Sequence, residues 1–438
     1  MDVIIRIVQV ILALSILVVV HEFGHFIFAR IFKIRVEKFY LFFPPALFKY
    51  KPKNSDTEWG IGSIPLGGFC KISGMIDESM DKETMAQEPK PWEYRTKPAW
   101  QRLLVISGGV LFNFIFAMVL YSAILFTWGE EYLKNEDAIY GIQTNALSAE
   151  IGFQDGDKIL AFDDVVPDNF AELQVDLVRS QARTATVLRG TDTVTIEIDQ
   201  AYIPAILNTP GMFMIAAPVA IAEVPDTSIN FSAGLLRGDR FTKVADREVV
   251  SFTSLQNALA AHKGETTPIV FKRGNEYVTY DLQVNEEGKI EVVLQSDVSE
   301  FHVTKKEYTL LSAIPSGISK TFNTIGDYIK ELGLIFSPKT EAYKSVGSFI
   351  AIGSIFPTAW NWEAFWNIVA LLSVMLAVIN LLPIPALDGG HIVFTIYEII
   401  TGRKPSDKFM EYAQMAGMIF LLMIMFLAFG NDILRLFR

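Results

Sequence analysis

Residues 18–30 read VVVHEFGHFIFAR, and His21, Glu22 and His25 are the residues in that run able to do chemistry. On a helix, positions four apart share a face, so both imidazoles can reach one metal ion. Glu22 is turned aside by one residue and can reach a water on that ion. Zinc binds imidazole nitrogen at about 2.0–2.1 Å and lowers the pKa of its water towards 7. The chemistry is then hydrolysis, with Glu22 taking the water's proton as general base and returning it to the leaving amine. A charge deep in an apolar span costs about 2.5 kcal/mol or more, so such residues are rare there without a use. The alternative is that the two histidines hydrogen-bond neighbouring helices while Glu22 is neutral.

The elements that must hold these groups follow from hydropathy. The chain has 438 residues, 51% of them hydrophobic, and a mean hydropathy of +0.31. That composition favours a membrane protein with sizeable parts outside the bilayer. Four stretches are long and apolar enough to cross it, at about 7–29, 103–127, 364–387 and 409–430. The first has no charged n-region or small-residue cleavage site and is expected to be retained. The net charge of −11 argues against nucleic acid as a partner. The single cysteine, Cys70, forms no internal disulfide and leaves the redox compartment open.

Basic residues set the orientation. Arg30, Lys33, Arg35 and Lys38 follow the first span, Arg95, Lys97 and Arg102 precede the second, and Arg403, Lys404 and Lys408 separate the last two. The positive-inside rule puts these loops in the cytoplasm and segment 129–361 outside. Spans one and three then run the same way, from outside to inside. His21 and His25 fall in the cytoplasmic half of the first, and Asp388 falls near the cytoplasmic end of the third, in NLLPIPALDGGH. Zinc needs a third protein ligand, and topology brings Asp388 to the right depth. Pro383 and Pro385 prevent regular helix there, and backbone freed inside a membrane must line a cavity or pack in protein. His391 is a competitor three residues on. His262 and His302 lie in the external segment.

Residues 129–305 carry 28 Asp and Glu against 14 Lys and Arg, which suits a translocated domain. Within them, ALSAEIGFQDGDKILAFDDVVPDNFAEL from Ala146 and INFSAGLLRGDRFTKVADREVVSFTSL from Ile229 repeat one pattern around Gly156-Asp157 and Gly238-Asp239. Each is followed by a hairpin with a glycine turn. The duplication implies tandem β-rich modules, at 129–210 and 211–305. Both resemble PDZ domains, which capture extended peptides by strand addition. The alternative is two structural modules without a ligand. From Leu311 to Phe336, apolar residues recur three or four apart, which predicts an amphipathic helix within a connector at 306–361. It lies either on the membrane surface or against the second module.

Taken together, His21-Glu22-Phe23-Gly24-His25 and Asn380, Pro383, Pro385, Leu387, Asp388 and Gly389 resemble the two motifs of the site-2 protease family of intramembrane zinc metalloproteases. IGSIPLGGFCKISGM, 61–75, resembles the family's membrane re-entrant β hairpin. Gly109 and Asn113 fit its second core span, although Val110 stands where a proline is usual. Four spans with two PDZ-like modules between the second and third resemble its RseP-type bacterial branch.

The resemblance implies a polytopic α-helical membrane protein with four transmembrane helices, a re-entrant β hairpin (about 58–75) within 1–128, two external PDZ-like domains, and the LDG motif in 362–438. It implies one Zn²⁺ held by His21, His25 and Asp388, and residence in the bacterial inner membrane. It implies cleavage of single-span membrane proteins inside the bilayer, such as an externally trimmed anti-sigma factor or a signal-peptide remnant. The PDZ pair and the amphipathic helix would exclude untrimmed substrates. Asn380 is implied to hold substrate backbone, and Ile61, Ile64, Leu66 and Phe69 of the hairpin are expected to pair with an unwound substrate strand. Cobalt or iron suits the same ligands. Two further readings use the same residues: a metal transporter, for which Glu22 has no purpose, and an inactive PDZ scaffold, which has no reason to keep a complete site.

Overall fold

A computed structural model of the chain describes residues 2–75, 88–337, 340 and 342–436. The connector expected over 306–361 includes residues 338, 339 and 341, which lie outside them. The chain divides into a helical unit (1–129, 307–333 and 343–438) and a β-rich unit (130–306 and 334–342).

Among the described residues, four helices of the first unit are long and apolar enough to span a bilayer: Val3–Ile31, Ala99–Thr127, Trp362–Leu381 and Lys408–Leu434. In chain order the elements of this unit are α1 (Asp2–Ile31), β1 (Val36–Tyr50), β2 (Glu58–Ile72), α2 (Ala99–Thr127), α3 (Leu310–Ile335), α4 (Phe349–Ile355), α5 (Trp362–Leu381), α6 (Asp388–Thr401) and α7 (Asp407–Leu436). Lipid offers no hydrophobic drive for helix to meet helix, so small residues that allow close approach hold such bundles together. Ala13, Ala29, Ala117, Ala370 and Ala377 are fully buried. Ala117, Tyr121 and Ile124 of α2 pack on Ala370, Val374 and Val378 of α5. Leu17 of α1 shares a cluster with Phe365, Val369 and Leu372.

The third span ends earlier than hydropathy suggests. α5 stops at Leu381, residues 382–387 form an irregular turn, and Asp388 begins a new helix, α6. Pro383 and Pro385 cannot donate a helical hydrogen bond. The run LLPIPAL nevertheless stays apolar, which is why composition alone extends the span to 387. Short bonds close the turn, Ile384 N–H to Leu382 O at 2.7 Å and Leu387 N–H to Ile384 O at 2.9 Å. Three glycines let the turn pack this tightly. A Cβ on Gly389 would lie 2.1 Å from Leu382 O, one on Gly390 2.5 Å from Pro385 Cα, and one on Gly417 of α7 2.7 Å from Pro385 O.

β1 and β2 form a sheet folded on itself. Tyr40 pairs with both Phe69 and Gly60, and Leu41 with both Gly68 and Ile61. Among the described residues, Gly68, Phe69 and Cys70 pair on one side only, as do Phe48, Lys49 and Tyr50, so 68–70 and 48–50 are the two edges of the sheet. Ile61 lies between Leu41 and Phe48. It is therefore not on an edge, and its backbone is closed to a further strand. α3 packs on α2, with Ile325, Tyr328 and Leu332 against the Tyr121 cluster and Gly317 against the Ser122 backbone. Leu311, Ile314, Ile318, Phe322 and Ile329 face outward.

The β-rich unit holds two cores. The first runs from Ala138 to Phe213 and adds Leu334 and Ala342. It reaches past residue 210 because strand Ile142–Thr144 pairs with Phe213–Ile215. The second core spans Val219 to Ile290. The repeat is literal at atomic level. Gly156 and Gly238 have φ of +89° and +90°, the left-handed region that favours glycine. Their N–H groups bond Ile142 O and Ile221 O, each at 2.8 Å. Asp157 and Asp239, which follow them, are almost fully buried. Arg189 meets Asp157 through two bonds of 2.8 Å and donates to Gly152 O. Arg273 repeats this with Asp239, at 2.7 and 2.6 Å, and Gly234 O.

Asp157 is buried while Arg189 keeps partial contact with solvent, so removing the carboxylate mainly deletes its bonds to Arg189 and to the Gln154 N–H, a loss of about 1–3 kcal/mol. Asp157→Ala is therefore expected to destabilise the first module alone. Amide hydrogen exchange of the full chain should speed up across 142–198 and stay unchanged across 219–284.

Candidate metal centre

α1 carries His21 and His25 through an unbroken helix, and α6 supplies Asp388 from its first turn. One donor atom from each of the three lies within 4.8 Å of the others, a grouping able to hold a metal ion. The Nε2 atoms of His21 and His25 are 3.3 Å apart. Asp388 Oδ2 is 3.3 Å from the first and 3.4 Å from the second. The three donors thus form a nearly equilateral triangle. N–H···O hydrogen bonds run about 2.7–3.2 Å, so these separations are longer than an ordinary imidazole–carboxylate bond. Bonds of about 2.0–2.1 Å to a tetrahedral ion place neighbouring ligands about 3.3–3.4 Å apart. The spacing fits zinc. Among the described residues, Asp388 Oδ2 is buried with no hydrogen-bond partner, a position that a cation would satisfy.

Close contact between α1 and α2 sets the imidazoles. A Cβ on Gly24 would lie 2.2 Å from Gly108 O, and one on Gly108 would lie 2.5 Å from Gly24 O. The two backbones therefore touch. At that distance His25 Nδ1–H reaches the Val105 carbonyl at 2.9 Å, and His21 Nδ1 meets the Asn113 amide at 3.1 Å. Bonds of this kind at the far ring nitrogen turn Nε2 toward a metal. The rings stand edge to face at 4.9 Å. Gly109 faces them, and a Cβ there would lie 2.5 Å from His25 Nε2 and 2.6 Å from His21 Cε1.

Glu22 is half-buried on α1 beside the triangle, in electrostatic reach of His25 and Cys70. Among the described residues, no hydrogen bond or ion pair engages its carboxylate. Asn380 is half-buried in the last turn of α5, just before the irregular turn. Ile64 is exposed on the hairpin, and Phe69 stacks on Tyr40 at 5.2 Å. Leu66 belongs to β2, and its side chain lies outside the described part. His391 is not in the triangle. It borders a cavity of about 40 Å³ with Tyr94, Arg102, Thr395 and Glu398, where Arg102 and Glu398 pair at 2.5 Å. His262 pairs with Glu265 in the β-rich unit.

Sequence reasoning missed Val105 and the contact role of Gly109. Val105 acts through its carbonyl, which any residue could supply. Gly109 did leave a signal: the pair Gly108-Gly109 in one span opposite Gly24 in another marks a close helix crossing.

Residues 9–424 match the model of Peptidase family M50. The chain is 29% identical over 446 residues to a putative zinc metalloprotease of Xylella fastidiosa, covering 97% of each. It is 28% identical over 448 residues to the regulator of sigma-E protease RseP of Salmonella typhimurium, covering 97% of this chain and 98% of that one. It is 27% identical over 449 residues to protease RseP of Yersinia pestis, with the same coverage.

Gly109→Ala would push a methyl group into both imidazoles. It is expected to weaken metal binding at least about tenfold in a chelator competition on purified protein, with helical content unchanged.

Proposed function

The chain belongs to Peptidase family M50, and from that premise we propose that it is an intramembrane zinc metalloendopeptidase acting on single-span membrane proteins. The observation that carries this reading is the 3.3–3.4 Å triangle of His21, His25 and Asp388, formed by apolar helices with an unengaged acid beside it. His21, His25 and Asp388 would hold the ion. Bound there, zinc supplies an acidified water and polarises the carbonyl of the bond to be cut.

The remaining work falls to the chain. Glu22 takes the proton of the attacking water and passes it to the leaving nitrogen. A base with no other partner among the described residues is suited to this, and a metal transporter would have no use for it. A transmembrane helix hides its carbonyls in its own hydrogen bonds, so substrate must unwind to be cut. Residues 68–70, paired on one side only among the described residues, offer a strand edge for the unwound segment. Asn380 would hold substrate backbone near the metal.

The β1–β2 sheet then serves as the membrane re-entrant element, and the two β modules as PDZ-like domains outside the membrane. Together with α3 they would exclude substrates with bulky external domains. Externally trimmed anti-sigma factors and signal-peptide remnants fit such a filter. The setting is the bacterial inner membrane, with the site in its cytoplasmic half.

The test is cleavage of a single-span substrate, stripped of its external domain, in liposomes. The parent should cleave, and chelation should abolish cleavage. Glu22→Gln should lose about 10²–10⁴-fold in rate while retaining one metal per chain. Equal cleavage by parent and Glu22→Gln would overturn the assignment.

A further inference from the structure

Asn113 is fully buried in α2, and packing alone does not explain it. A buried amide inside a membrane bundle is costly unless its hydrogen bonds are made, and Leu would fill a similar volume. Its side chain faces Nδ1 of His21 at 3.1 Å. Its backbone carbonyl accepts a bond of 2.8 Å from Ser373 of α5, so α2 is pinned here to the helix that leads to Asp388.

We propose that Asn113 is a positioning residue that fixes the tautomer of His21, an inference that rests on the metal-binding reading of the triangle. Both imidazoles turn Nε2 into the triangle, so Nε2 must keep its lone pair. In a neutral imidazole the proton then sits on Nδ1. For His25 the matter is settled by Val105, because a backbone carbonyl can only accept. His21 needs an acceptor too. Among the described residues, Asn113 Oδ1 is buried without a partner, while Nδ2 is the atom placed against Nδ1. The two ends of an amide have nearly the same shape, and hydrogen bonding decides between them. With the oxygen turned to His21, Nδ1–H gains an acceptor and Oδ1 gains a donor. The opposite orientation would put the proton on Nε2 and aim it at the other two donors. Asn113 and Val105 are thus equivalent devices, one for each histidine.

Two substitutions separate this role from packing. Asn113→Leu keeps the volume and removes the acceptor. Asn113→Asp keeps an acceptor and removes the donor, giving the carboxylate–histidine arrangement common at zinc sites. Purified chains would be titrated with Zn²⁺ against a chelator, and their Co²⁺-loaded absorption spectra recorded. Asn113→Leu is expected to lose about 10–100-fold in affinity and the parent's tetrahedral Co²⁺ bands. Asn113→Asp should keep both. Parental affinity in Asn113→Leu, or equal loss in the two variants, would overturn the proposal. Should Asn113→Leu not fold, Asn113→Asp decides alone: parental affinity and spectrum support the role, and their loss refutes it. His21→Ala distinguishes the underlying reading. If it leaves affinity intact, the triangle is not the metal site and both claims fall. If it abolishes binding while Asn113→Leu does not, only this one falls.

Discussion

The site depends on backbone touching backbone where α1 crosses α2. Gly24 and Gly108 leave no room for a Cβ on either side. That single contact brings the Val105 carbonyl and the Asn113 amide within hydrogen-bonding reach of His25 and His21. It also lays Gly109 flat against both rings. In water such an approach could be driven by apolar burial. In lipid it rests on close packing and on interhelical hydrogen bonds, and the glycines permit both.

The second requirement is a carboxylate at the same depth. A continuous helix through residues 382–387 would carry Asp388 onward along its axis. The two prolines stop the helix, and Gly389, Gly390 and Gly417 fold the freed backbone against protein. Irregular backbone at membrane depth is tolerated only when packed in this way. Asp388 then opens α6, and Arg102 pairs with Glu398 of that helix, tying α6 back to α2. The crossing and the turn therefore converge: α1 delivers two donors, α6 the third, and α2 holds both.

Much of this was legible in the sequence. The spacing of His21 and His25, the four apolar runs and the acid after two prolines each reflect a local rule: helical period, bilayer thickness, or the missing proline donor. The module duplication was legible from Gly156-Asp157 and Gly238-Asp239. What escaped depends on distant partners. The salt bridges that close the two modules join Asp157 to Arg189 and Asp239 to Arg273, and nothing local marks those arginines. The end of the third span was misplaced because LLPIPAL is apolar whether helical or not. Ile61 reads as an edge residue in the hairpin, but the sheet folds on itself and gives it two neighbours. The stripe on α3 was legible as amphipathic, yet its packing was not: Ile325 and Leu332 of it meet the Tyr121 cluster, while Leu311, Ile314, Ile318, Phe322 and Ile329 stay exposed.

The central claim is that His21, His25 and Asp388 jointly hold one metal ion. Zinc-edge X-ray absorption on the purified chain, with metal stoichiometry for the parent and Asp388→Ala, tests it most directly. The account predicts one zinc per chain with two imidazoles and oxygen in its shell, and weakened binding in Asp388→Ala. A zinc shell without histidine, or full binding by Asp388→Ala, would contradict it.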